Sequence, residues 1–258
     1  MFKINKDSTL NITLVGIGLC LVCSAIISLI AIQLRSLQVE NAVLDQQKKI
    51  VSSAGLKEVY GSVENAMSNI KSIIINLDEG EIVDLNPQTY ELAKELREDG
   101  KYKFLSAEED IASIKKREKF SKIYIEYKDD KINTIILPVR GYGLWGILYG
   151  YLAIENDFNT VAGLEFYEHK ETPGLGAEID NPKWKSLWKG KKIYRDNGEV
   201  SLKVIKGSVL NNSVNYNYEV DGLSGATLTC NGVSNLIAYW MGNDGYLNFI
   251  QKLKEIDV

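Results

Sequence analysis

A chain of 258 residues, 45% of them hydrophobic, is long enough for one large domain or two small ones. Its formal charge of −4 and the lack of any basic cluster argue against nucleic-acid binding. The single histidine argues against a histidine-built metal site, and Cys20, Cys23 and Cys230 are not spaced as a disulfide framework.

From Leu10 to Leu34 no residue is charged, and most are Leu, Ile, Val, Ala, Gly or Cys. About twenty apolar residues cross a bilayer as a helix, so residues 10–34 are assigned as a transmembrane helix. A cleaved signal peptide has a shorter apolar region and ends in an Ala-x-Ala-like site. None is evident, and neither Cys20 nor Cys23 has the small residues before it that a lipoprotein signal needs. An uncleaved anchor is therefore expected. Lys3 and Lys6, beside Asp7, flank it on one side, with Arg35, Lys48 and Lys49 on the other. Charge alone thus gives no firm orientation. A short head and a long tail fit a cytoplasmic stub over residues 1–9 and a large exported domain. Cys20 and Cys23 share a helix face, but two thiols from one helix cannot complete a cluster site, and they read as small apolar fillers.

Gln33 to Ser53 continues as a helix that Gly55 ends. Leu56 to Phe120 is expected to be largely helical, with breaks at Pro87 and Gly100. The run Ile70–Leu77 fits a helix or a buried strand equally well. Residues 35–120 are thus assigned as a helical stalk and lead-in region, and 121–258 as the domain that carries the chemistry.

From Lys122 the apolar period becomes two. Ile123–Tyr127, then Asp129-Asp130, then Ile132–Val139 read as a β-hairpin. Gly141-Tyr142-Gly143-Leu144-Trp145-Gly146 fits the Gly-x-Gly-x-x-Gly spacing of dinucleotide sites. That fingerprint needs a helix next, whereas Ile147–Ile154 reads as a strand, so a nucleotide site is rejected. A glycine-rich loop beside Trp145 also suits a flat ring. Val161–Glu168 is the next strand, and His169 a solvated strand-end residue. In Glu171-Thr172-Pro173-Gly174-Leu175-Gly176, Pro173-Gly174 predicts a type II turn. The same loop could present N–H groups and one apolar side chain to a ring. Asn181-Pro182 starts a short helix, Trp184 and Trp188 share its core face, and Asn197-Gly198 marks a hairpin. Helices are expected near Val233–Met241 and Gly245–Ile256.

The stretch Asp221-Gly222-Leu223-Ser224-Gly225-Ala226-Thr227 is a small-residue turn before a helix. Local physics allows a turn into a capped helix or an anion site of successive N–H groups at a helix N-terminus. This stretch resembles the acceptor motif of bacterial flavin transferases, which join FMN through its phosphate to a Thr hydroxyl. The resemblance assigns the acceptor role to Thr227, with Asp221 as the carboxylate that starts the motif and Ser224, Gly225 and Ala226 as its middle.

Glu171–Gly176 resembles the FMN loop of two related ion pumps, the Na+-translocating NADH:quinone oxidoreductase and the Rnf electron-transport complex. Pro138–Trp145, Asn159–Val161, Thr229–Val233 and the single anchor are similar to the covalent FMN-binding subunit of the first; Cys230 stands where a Ser is usual. The resemblance implies an α+β chain: one N-terminal transmembrane helix plus a largely antiparallel-sheet FMN-binding domain with flanking helices. It also implies covalent FMN and one-electron transfer within a Na+-pumping complex. Its partners would be the other subunits, and a flavin transferase during maturation. The FMN domain would lie on the periplasmic side of the bacterial inner membrane, where that transferase works. Gly141, Gly143, Trp145, Glu171, Thr172, Gly174, Leu175 and Gly176 are its expected ring contacts. The Rnf counterpart is the alternative within the same class. A stand-alone flavoenzyme is disfavoured by the absence of a nucleotide fold or an acid–base constellation. A cofactor-free binding module is disfavoured by the two motifs together.

Overall fold

Residues 8–256 are described by a computed structural model. Lys3, Lys6, Asp7 and most of the expected cytoplasmic stub lie outside them. The chain divides after Gln46 into two compact units. The first is a single element, helix α1 (Thr9–Ser53), up to that point. It is long and apolar enough to cross a membrane, and none of its most apolar stretch is buried.

The second unit begins with the last turns of α1, where Ile50 and Val51 are buried. Short helices α2 (Leu56–Tyr60) and α3 (Val63–Ser68) follow. Then come strands β1 (Ile70–Asn76) and β2 (Glu81–Val83), helix α4 (Leu92–Glu95), and strands β3 (Tyr102–Phe104) and β4 (Lys116–Glu118). The long strands are β5 (Phe120–Lys128), β6 (Lys131–Tyr142), β7 (Ile147–Glu155) and β8 (Val161–Glu168). Helix α5 (Pro182–Ser186), strands β9 (Lys203–Val204) and β10 (Glu219–Val220), and helices α6 (Thr227–Trp240) and α7 (Leu247–Ile256) complete the unit.

Six strands form one antiparallel sheet in the order β2-β1-β5-β6-β7-β8. Period-two alternation splits its side chains between two cores. Ile73, Ile125, Ile135, Leu137 and Leu152 pack with Val233, Leu236, Ile237 and Trp240 of α6 and with Phe249 and Ile250 of α7. Tyr124, Ile136, Tyr151 and Ala153 point the other way, to Ile50, Val51, Leu56 and Ala66. The β5–β6 turn holds Asp129 and Asp130 at φ 51° and 60°, as a two-residue type I′ turn requires.

The stretch from Leu56 to Phe120, expected to be largely helical, is mostly strand, turn and loop. Only α2, α3 and α4 are helical in it, and the Ile70–Leu77 run supplies β1, which pairs with β5 over its whole length. Ile73, Ile74 and Ile75 are buried on both faces, as in a central strand. The globular unit therefore starts at Gln47, well before the boundary expected at residue 121. The predicted strands from β5 to β8 and the antiparallel pairing are present. The Asn197-Gly198 turn also forms, with Gly198 at φ 81°, but its arms meet only at a Tyr194–Val200 bridge. Strand β9 pairs instead in parallel with β10, which leads into the Asp221–Thr227 turn.

Candidate functional site

The Asp221–Ala226 turn ends at the first residue of α6, Thr227. The helix does not have the side-chain cap that local physics allowed: Ala226 stands at the N-cap, and its first intrahelical bond is Cys230 N to Ala226 O at 3.0 Å. The N–H groups of Thr227, Leu228 and Thr229 thus have no carbonyl within the helix to bond, which leaves a partly positive N-terminus suited to an anion.

Beside that terminus is a cavity of about 430 Å³, lined by residues 204–208 on one wall and by Gly222–Gly225, Thr227, Cys230 and Asn231 on the other. Thr227 and Ser224 are exposed there, as are Lys206 and Ser208. Asp221 builds the wall: its Oδ1 accepts from Val209 N at 2.8 Å, and its carbonyl accepts from Trp184 Nε1 at 2.8 Å. Gly222 N donates to Gly207 O at 2.8 Å. Cys230 Sγ accepts from Leu223 N at 3.3 Å. Burial pushes this thiol upward from its ordinary range. Nothing in the sequence singles out Lys206 and Ser208; they lie about twenty residues before Thr227 and reach it through the β9–β10 pairing and the Gly207 and Val209 bonds to Gly222 and Asp221.

The second expected loop folds against the first. Thr172 O accepts from Leu175 N at 3.1 Å, and Gly174 has φ 75°, which is the predicted type II turn. Leu175 is 45% exposed, and its side chain lies so near Gly225 that a Cβ there would come within 2.9 Å of it. The Gly143–Gly146 turn joins β6 to β7, with Gly143 N donating to Gly146 O at 2.8 Å. It presents Trp145 with 62% of its surface exposed. The segment rests on α6: a Cβ at Gly141 would meet Leu236, and one at Gly232 would overlap the Tyr142 carbonyl.

Glu171 differs from its expected role as a ring contact. It is buried, and both carboxylate oxygens turn inward. Oε1 accepts from Leu144 N at 2.9 Å and Trp145 N at 3.0 Å, and Oε2 accepts from Thr229 Oγ1 at 2.5 Å. Thr229 is fully buried, unlike Thr227. His169, expected to be solvated, is half-buried: Nδ1 accepts from Glu171 N at 3.2 Å, and Nε2 faces Asp180 Oδ2 at 2.8 Å. The structure thus gathers 141–146, 171–176 and 221–232 around the first two turns of α6. Gly141, Glu171 and Asp221 support that arrangement from within, while Trp145, Leu175, Ser224 and Thr227 face outward. Hydroxyls, a cation and a helix N-terminus suited to an anion therefore meet at the cavity, with the exposed Leu175 beside Gly225 on its wall.

Residues 143–242 match the family of FMN-binding domains, a range that spans both loops and α6. The C subunit of the Na(+)-translocating NADH-quinone reductase of Pseudomonas aeruginosa is 45% identical over 256 residues, covering 97% of this chain and 98% of that protein. The corresponding C subunit from Vibrio anguillarum is 40% identical over 251 residues, covering 97% of each chain. The crystal structure of Shewanella oneidensis NqrC superposes with a TM-score of 0.73 at 32% identity, covering 81% of this chain and 96% of that one.

Proposed function

The chain belongs to the NqrC family, the C subunits of Na(+)-translocating NADH-quinone reductases, and we propose that it carries FMN covalently on Thr227 as a one-electron carrier within such a complex. The observation that carries the attachment reading is the contrast between two threonines. Thr227 is exposed at an uncapped helix N-terminus in a cavity with Lys206 and Ser208. Thr229 is fully buried and donates to Glu171.

The residues present suit a phosphodiester that leads from Thr227 to a flat ring. The α6 N–H groups and Lys206 would hold the phosphate, and the exposed faces of Trp145 and Leu175 would take the ring. FMN, when bound, supplies the one-electron chemistry. Asp221 holds the 206–209 wall in place and starts the motif that the flavin transferase reads. NADH oxidation and quinone reduction fall to the other subunits. The Gly141–Gly146 segment runs from strand to strand and offers no helix N-terminus to a pyrophosphate. The apolar stretch of α1 contains no charged residue from Leu10 to Leu34 and gives an ion no path of its own. With α1 as the anchor, the second unit belongs on the periplasmic side of the inner membrane, where the transferase works.

In-gel flavin fluorescence of the denatured chain, from cells with and without a flavin transferase, tests this reading. Fluorescence that needs the transferase and vanishes in Thr227→Ala is the expected result. Fluorescence retained in Thr227→Ala would move the attachment site.

A further inference from the structure

One carboxylate joins all three segments of the site. Glu171 begins the 171–176 loop, yet its side chain points away from the cavity and into the protein. One oxygen takes two successive backbone N–H groups at the tip of the β6–β7 hairpin, and the other takes the Thr229 hydroxyl on the first turn of α6. The surrounding glycines make room for it. A Cβ at Gly143 would lie 2.6 Å from Glu171 Oε1, and one at Gly176 would lie 2.5 Å from Oε2 and 2.6 Å from Thr229 Oγ1. Any other residue at either position would push the carboxylate off its partners. Trp145 gains a fixed backbone beneath a ring that is itself mostly exposed.

We propose that Glu171 is a positioning residue: its carboxylate locks the Leu144–Trp145 tip to the α6 turn that bears Thr227, so that ring surface and attachment point move as one body. This rests on the attachment reading above. An ester at Thr227 would fix only the phosphate end of a flexible flavin chain. The ring end needs a surface whose distance from Thr227 does not vary, and a saturated buried hydrogen-bond network supplies one. The clasp acts through its hydrogen bonds, and Glu171 does not touch the ring.

The first test uses the full-length chain without flavin, in detergent. Hydrogen exchange is followed in the peptide that contains Leu144 and Trp145. Glu171→Ala leaves both N–H groups without their acceptor, and exchange there should accelerate about tenfold or more. Thr229→Val, which removes one hydroxyl and keeps the shape, should give a smaller rise. Glu171→Gln should stay near the parent, because its oxygen still accepts both N–H groups while its amide donates to Thr229 Oγ1. In the double variant the two changes should not add.

The second test uses chain matured with the transferase. Covalent flavin should still attach to Glu171→Ala, but its fluorescence anisotropy should fall and its midpoint potential should shift, and Glu171→Gln should restore both. Parental exchange in both Glu171→Ala and Thr229→Val would overturn the proposal. So would parental anisotropy and potential in flavin-loaded Glu171→Ala, or a Gln variant as impaired as the Ala one, which would place the negative charge itself at the ring. If Glu171→Ala does not fold, Thr229→Val alone decides by the same exchange readout. A parent chain that bears no covalent flavin would defeat the attachment reading and leave the exchange test standing.

Discussion

Gly174 and Gly176 are two residues apart in one loop, yet an added methyl group should act on them differently. Gly174 sits at φ 75°, and a Cβ added there would have no heavy atom within 4 Å. Alanine at that position meets only left-handed backbone strain, about 1 kcal/mol. Gly176 has no such backbone constraint, but its Cβ would lie 2.5 Å from Glu171 Oε2, 2.6 Å from Thr229 Oγ1 and 3.1 Å from Glu171 Cβ. Overpacking a buried site costs roughly 1–3 kcal/mol, and displacing the Thr229–Glu171 bond adds roughly 1–2 kcal/mol. Gly176→Ala should therefore destabilise the flavin-free chain by about 3 kcal/mol. For a unit of this size each 1 kcal/mol lowers the midpoint by roughly 2–4 °C. Gly174→Ala should thus lose about 2–4 °C and Gly176→Ala about 6–12 °C, read from tryptophan emission, since Trp184, Trp188 and Trp240 are buried. Equal losses in the two variants would refute the inward assignment of Gly176, and with it the packing of Glu171 against Thr229.

Further outcomes follow from other residues. Glu165 is buried and bound by Lys49 Nζ at 2.7 Å and Lys185 Nζ at 2.7 Å, both of which still reach solvent, so Glu165→Ala should cost about 1–3 kcal/mol by denaturant titration, whereas an exposed pair such as Lys94–Glu91 should cost under about 1 kcal/mol. Tyr60 donates to Glu126 at 2.6 Å, and that bond is the main cause of a phenol pKa raised to about 12. Because the folded value lies above the ordinary 10, this contribution is complete below pH 10 and is lost as pH rises toward 12; Tyr60→Phe should flatten stability across that window. The Cys230 thiol, buried and pushed upward, should resist iodoacetamide at about pH 8 in the folded chain and react once unfolded, while Cys230→Ser should accept flavin normally because a hydroxyl can still take the Leu223 N–H.

What was legible in the sequence was chemistry that acts locally. The uncharged run of α1, the period-two strands β5 to β8, the Asn181-Pro182 helix start and the Pro173-Gly174 turn each depend on neighbouring residues, and each forms. Strand β1 depends on a partner some fifty residues later. Its isoleucine run fits either period, and only pairing with β5 settles it. The residues around it read as helix for want of that partner. At the site, the motifs identified the segments that meet but not which way each side chain faces. Nothing in Glu-Thr-Pro-Gly-Leu-Gly distinguishes an outward glutamate from one turned toward Thr229, because that depends on a residue 58 positions further along the chain. Lys206 and Ser208 carry no motif at all, and a parallel pairing of two-residue strands brings them to the cavity.

Whether Thr227 bears the flavin is read directly by tandem mass spectrometry of the proteolysed chain, matured with a flavin transferase. The expected result is one FMN phosphoryl adduct, on Thr227, with Ser224 and Thr229 unmodified, and none on any residue of Thr227→Ala. An adduct on Thr229 or Ser224, or a fully matured chain with no adduct, would contradict it.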